Sequence, residues 1–111
     1  MVQRPRSILA FAEAAARSVI DEENSFCDGY AIDDNEHLPR IRRIIEAVAK
    51  ATLDAGESRA AVADLRQRLL AFAEDEYMKR WMAEVFEDED PDEVRREGVS
   101  VFRHVIAGGR R

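Results

Sequence analysis

Glu84 and Glu87 come nearest to a reaction centre in this 111-residue chain. Three apart on a helix, two carboxylates share a face and can hold Mg²⁺ for nucleotide hydrolysis; beside a Glu-x-x-His motif they can hold a di-iron pair. The chain has no Glu-x-x-His, and no second carboxylate pair of this spacing faces a core from another helix. Asp90 and Glu93 are also three apart, but they lie at a helix start where capping explains them. Glu84 falls on the polar side of its helix and reads as a solvated carboxylate. An α-helical, Mg²⁺-dependent nucleotide hydrolase is therefore a third-ranked reading, and no metal or cofactor is expected.

Nucleophilic chemistry has less support. Cys27 and His37 share one stretch, yet no third group orients the imidazole and no oxyanion site is evident. With one Cys and two His there is no zinc-ligand spacing and no intrachain disulfide. Asp28 and Asp33-Asp34-Asn35 lack the alternating positions of a calcium loop. His104, at the edge of a polar helix face, is expected to be exposed. The reading is a non-enzyme.

Two charge blocks stand out. Residues 18–39 carry seven acids and no Lys or Arg, and residues 74–97 carry eleven acids against four bases; the net charge is −6, so the remainder is +8. Acidic blocks on a basic body can pair internally, pair between protomers, or meet a cationic partner. A helix-turn-helix outline around Gly56, with Arg59, Arg66 and Arg68 on the following helix, has the wrong overall charge, and two of its arginines are interleaved with the apolar Leu65 and Leu69. No direct nucleic-acid binding is expected.

The candidate partner-binding face is Tyr77, Met78, Trp81, Met82, Val85 and Phe86, which holds the only Trp. Trp and Tyr are enriched at binding hot spots, and Met adapts to varied surfaces. Beside it lies an acidic patch of Glu87, Asp88, Glu89, Asp90, Asp92 and Glu93. Folding of the Trp81 face into the core is the alternative to docking. The leading function is a non-enzymatic protein-interaction module, a regulator, inhibitor or scaffold, binding a protein partner or itself as a homodimer. The alternative is an acidic decoy that mimics nucleic acid and inhibits a DNA- or RNA-binding protein.

The elements that must carry these residues read as helices throughout. Charged residues make up 36% and hydrophobic residues 46%, with five Gly and three Pro, which suits an all-α single domain over residues 1–111. Residues 1–6 form a basic lead-in, and Ser7 is placed to cap a first helix. Its core face is expected to run through Ile8, Ala12, Ala15 and Val19, flanked by Leu9, Phe11, Ala16 and Ile20. Residues 24–38 read as a long acidic loop. Pro39 is expected in the first turn of a second helix, with Ile41, Ile44, Ile45, Val48 and Thr52 buried and Gly56 as its stop. Arg40, Arg42 and Arg43 follow, their charge offset by upstream acids.

From Glu57 to Glu87 the apolar face changes direction. Val62, Leu65, Leu69, Phe72 and Ala73 share one side, and the Trp81 set lies on another. Either this third helix breaks near Asp75, giving a bundle of five helices, or it is continuous with two faces, giving four. Asp90-Pro91 then opens a last helix with Val94, Gly98, Val101, Phe102, Val105 and Ile106 on one stripe, Gly98 permitting a close crossing. No run of eighteen apolar residues occurs, and Glu13 and Arg17 interrupt the first apolar stretch, so no membrane span or signal sequence is expected and the location expected is cytoplasmic. Fifteen Arg against two Lys suggest a GC-rich, bacterial source.

Overall fold

The computed structural model describes residues 7–26, 33–83 and 85–111. Four helices occupy them: α1 (Ile8–Phe26), α2 (Asp34–Asp54), α3 (Arg59–Ala83) and α4 (Pro91–Ile106), with no strand among the described residues. The lead-in 1–6, Cys27 and Glu84 fall outside them.

Local chemistry fixes the helix ends. Ser7 Oγ accepts from the Ala10 amide at 3.1 Å, capping α1. Asp33 Oδ1 does the same for α2 through the Asn35 amide at 2.9 Å. At both ends of the stretch 24–38, where a loop was expected, the described residues are helical: α1 continues to Phe26 and α2 begins at Asp34, while residues 27–32 lie outside the described residues. The triplet Asp33-Asp34-Asn35 starts a helix instead of making a turn, and Asp34 and Glu36 sit at the positive end of its dipole. Pro39 consequently lies inside α2, at its sixth residue, where it leaves the Asn35 carbonyl without a helical donor. Arg40 pairs with Glu23 at 3.5 Å, a local charge balance between α1 and α2. Gly56, at φ +99°, follows the end of α2 in the left-handed conformation that favours glycine.

Ion pairs and hydrogen bonds give the helix directions. Glu13 meets Arg68 and Asn24 meets Arg80, so α1 and α3 run parallel. Glu46 meets Arg66 and Asp34 meets Tyr77, so α2 runs against α3. Glu74 meets Arg103 and Trp81 meets Val94, so α4 runs against α3 as well. α2 and α3 touch each other and both outer helices, while α1 and α4 do not touch. The cross-section is a rhombus with α2 and α3 on its short diagonal.

One core cluster draws on all four helices: Ala16 and Ile20; Leu38, Ile41 and Ile45; Leu65, Leu69 and Ala73; Phe102 and Val105. Burying each of its larger side chains contributes about 1.5–3 kcal/mol. Thr52 is buried at no polar cost, because its hydroxyl donates to the Ala49 and Val48 carbonyls at 2.9 and 3.0 Å.

α3 runs unbroken through Asp75 for 25 residues, about 37 Å. The first of its two apolar faces is taken up by the core. Val62, Leu65, Leu69 and Ala73 fill the core, and beyond them Tyr77 packs against the same cluster, where α3 meets α4.

Candidate interaction surfaces

The Trp81 face divides in three. Tyr77 and Trp81 turn toward α4 and the N-terminus of α2. Their rings stack at 5.9 Å, and Tyr77 lies 5.5 Å from the buried Phe102. Trp81 Nε1 donates to the Val94 carbonyl at 2.8 Å, and the indole lies against Gly98. Tyr77 donates its hydroxyl to Asp34 Oδ2 at 3.2 Å. Burial, and then the adjacent Asp34 charge and this hydrogen bond, push the phenol well above its ordinary range. These two aromatics therefore hold α4 and α2 onto α3.

Met78 and Met82 turn the other way. With Phe72 and Val99 they line the apolar part of an open groove of about 640 Å³ between α3 and α4. Glu74, Asp75, Glu76, Lys79 and Arg95 supply its charged lining. Phe72 is covered from the α1 side by the Arg17 guanidinium, 4.9 Å from its ring.

Val85 is half-buried and Phe86 is 71% exposed at the end of the face. The acidic patch follows at once, and Glu87, Asp88, Glu89, Asp90, Asp92 and Glu93 are all exposed. Part of it is structural. Glu89 accepts from the Phe86 amide at 3.3 Å, and Asp90 caps α4 through the Asp92 amide at 3.0 Å with Pro91 in the first turn.

One surface was not singled out from the sequence. The core side of α1 is Leu9, Ala12, Ala16 and Ile20, whereas Ile8, Phe11 and Val19 are 49%, 66% and 45% exposed. Ile8, Ala15 and Val19, expected in the core, instead form an outer stripe with Phe11, because α1 sits at a corner of the rhombus and, among the described helices, touches α2 and α3 alone. Ala14, Ala15 and Ser18 along it are small and exposed. The signal was present in the sequence: apolar residues cover too wide an arc of α1 for one contact.

The remaining candidates do not converge. His37 is buried and bonds through Nε2 to Asn24 Oδ1 at 2.8 Å, joining α1 to α2. Burial, and then the charge of Arg80, lower its pKa. His104 is exposed, its Nε2 2.9 Å from the Arg110 carbonyl oxygen. Among the described residues no three His, Cys, Asp or Glu side chains are grouped to hold a metal ion, and no helix is long and apolar enough to cross a membrane. Arg66 and Arg68, which a DNA-reading helix would present to phosphates, are paired with Glu46 and with Asp64 and Glu13.

No family model matches the chain, and no curated protein or solved structure matches it.

Proposed function

We propose that this protein is a non-enzymatic protein-interaction module that works as a homodimer and regulates, inhibits or scaffolds a partner. The observation that carries the reading is the outer stripe of α1. A surface helix ordinarily shows one apolar face, and the second face here, with Phe11 at 66% exposure, is covered by no other helix among the described residues.

The stripe suits a second copy of the same chain. Ile8, Phe11, Ala15 and Val19 are spaced by three, four and four residues, a spacing that keeps one helix face in contact with another. An antiparallel crossing with its two-fold axis at Ala15 sets Phe11 of each copy against Val19 of the other, equal distances from the axis. The small residues Ala14, Ala15 and Ser18 allow close approach. The groove lined by Met78 and Met82 is left for a partner, whose apolar side chains it would take, and the exposed acids from Glu87 to Glu93 favour a basic one.

Oxidative cross-linking tests the dimer at the proposed axis. In a Cys27→Ser background, Ala15→Cys should form a disulfide-linked dimer readily, and Ser100→Cys on the exposed side of α4 should not. Equal cross-linking of both, or of neither, contradicts the reading.

A further inference from the structure

The segment after α4 folds back on the bundle. Gly108, at φ +105°, reverses the chain, and the Gly109 amide donates to the His104 carbonyl at 2.9 Å. Arg111 then reaches the junction of α2 and α3. Its guanidinium carbon lies 5.1 Å from the Trp81 ring centroid, its Nη1 donates to Asp34 Oδ2 at 2.9 Å, and its amide donates to Asn35 Oδ1 at 2.8 Å.

We propose that Trp81 and Asp34 form a guanidinium-binding socket, with Asn35 beside it taking a backbone amide, occupied here by Arg111 of the same chain and taken over by an arginine of a basic protein partner when Arg111 leaves. The walls of the socket are held by bonds that do not involve Arg111. The indole is held by its bond to the Val94 carbonyl and by Tyr77, and the Tyr77 hydroxyl steadies the Asp34 carboxylate. That carboxylate is only 10% exposed, whereas the Arg111 side chain is 52% exposed. Departure of Arg111 therefore uncovers a pre-set carboxylate beside an aromatic face without opening the core. A planar fork that donates to the acid while stacking on the ring is arginine chemistry; a lysine supplies only a point charge. The exposed acids Asp33 and Glu36 near the socket draw cations toward it. This inference is independent of the dimer, which uses α1.

Trp81 is the only tryptophan, so its emission reports the socket directly. The probe is N-acetylarginine methylamide, titrated at constant ionic strength into the full chain. A short tether holds Arg111 at an effective concentration on the order of millimolar. The Arg111→Ala variant should therefore respond with a midpoint below the wild type, by a factor of one plus that effective concentration over the probe's dissociation constant, and more strongly than to N-acetyllysine methylamide. Adding Asp34→Asn to Arg111→Ala should abolish the response. Should Arg111→Ala lose its helical signal, Arg111→Lys makes the same comparison, with a midpoint below the wild type. Equal midpoints with and without Arg111, equal responses to arginine and lysine probes, or a full response without the Asp34 carboxylate would each overturn the proposal.

Discussion

Gly98 and Trp81 are in direct contact across the α3–α4 crossing: a methyl group placed on Gly98 would lie 2.6 Å from Trp81 Cδ1 and 2.8 Å from its Cγ and Nε1. The indole is held against α4 by its hydrogen bond to the Val94 carbonyl, one turn before Gly98, and is stacked on Tyr77, so moving it away from an added methyl group strains both contacts. Gly98→Ala should destabilise the fold by about 1–3 kcal/mol from overpacking, reduced by about 1 kcal/mol of gained helix propensity. Urea unfolding measures the net loss. Combining it with Trp81→Phe should cost less than the two single changes added together, because the smaller ring removes the clash; additive costs would mean that Gly98 is needed for another reason.

The acidic turn separates into structural and solvated members. Asp90→Ala removes the cap of α4 and should cost about 1 kcal/mol, while Asp88→Asn, at an exposed position, should change the urea midpoint hardly at all. Equal costs would show that the repulsion of the whole run, and not the cap, sets its effect on stability.

Acidification should weaken the junction of α1 and α2. The pKa of His37 in the folded protein lies below its ordinary value of 6.5, because burial disfavours the charged ring and Arg80 repels it. Between the two values the unfolded chain binds the proton more readily, so stability is fully present above about 6.5 and falls as pH drops through that window. Urea midpoints of the wild type should fall more between pH 7.5 and 5.5 than those of His37→Gln. Parallel declines would assign the acid sensitivity to carboxylates elsewhere.

Salt distinguishes apolar from acidic association. A dimer closed by Phe11, Ala15 and Val19 should keep its affinity as ionic strength rises from about 0.05 to 0.5 M, since apolar contacts carry no charge to screen. Binding that collapsed over the same range, and with neutralisation of Glu87 to Glu93, would favour the acidic decoy of a nucleic-acid-binding protein.

The helical class, the Ser7 and Asp90 caps, the stop at Gly56 and the close approach at Gly98 were legible because each follows from a local rule about backbone donors or missing side chains. The helical start at 33–38 was not. Asp33-Asp34-Asn35 serves turns and N-caps equally, and only packing of Leu38 and His37 into the bundle decides for a helix. The change of face in α3 was visible, but its use was not: Tyr77 and Trp81 turn inward while Met78 and Met82 line a groove, a division set by where α4 crosses. The core side of α1 was misjudged for a related reason. Periodicity shows that α1 is apolar over a wide arc, and only the position of α2 and α3 shows which part of that arc is covered. Nothing in the sequence linked Arg111 to Asp34, 77 residues away.

Light scattering across a concentration series, on the wild type and Phe11→Glu, reads the α1 homodimer itself. Phe11 is exposed, so the added charge should leave helicity and the urea midpoint close to those of the wild type. A homodimer closed by α1 gives a wild-type mass of twice 12.6 kDa that falls to the monomer value on dilution, and a folded Phe11→Glu monomer at every concentration. A wild type that stays monomeric throughout, or a Phe11→Glu protein that dimerises as the wild type does, would contradict it.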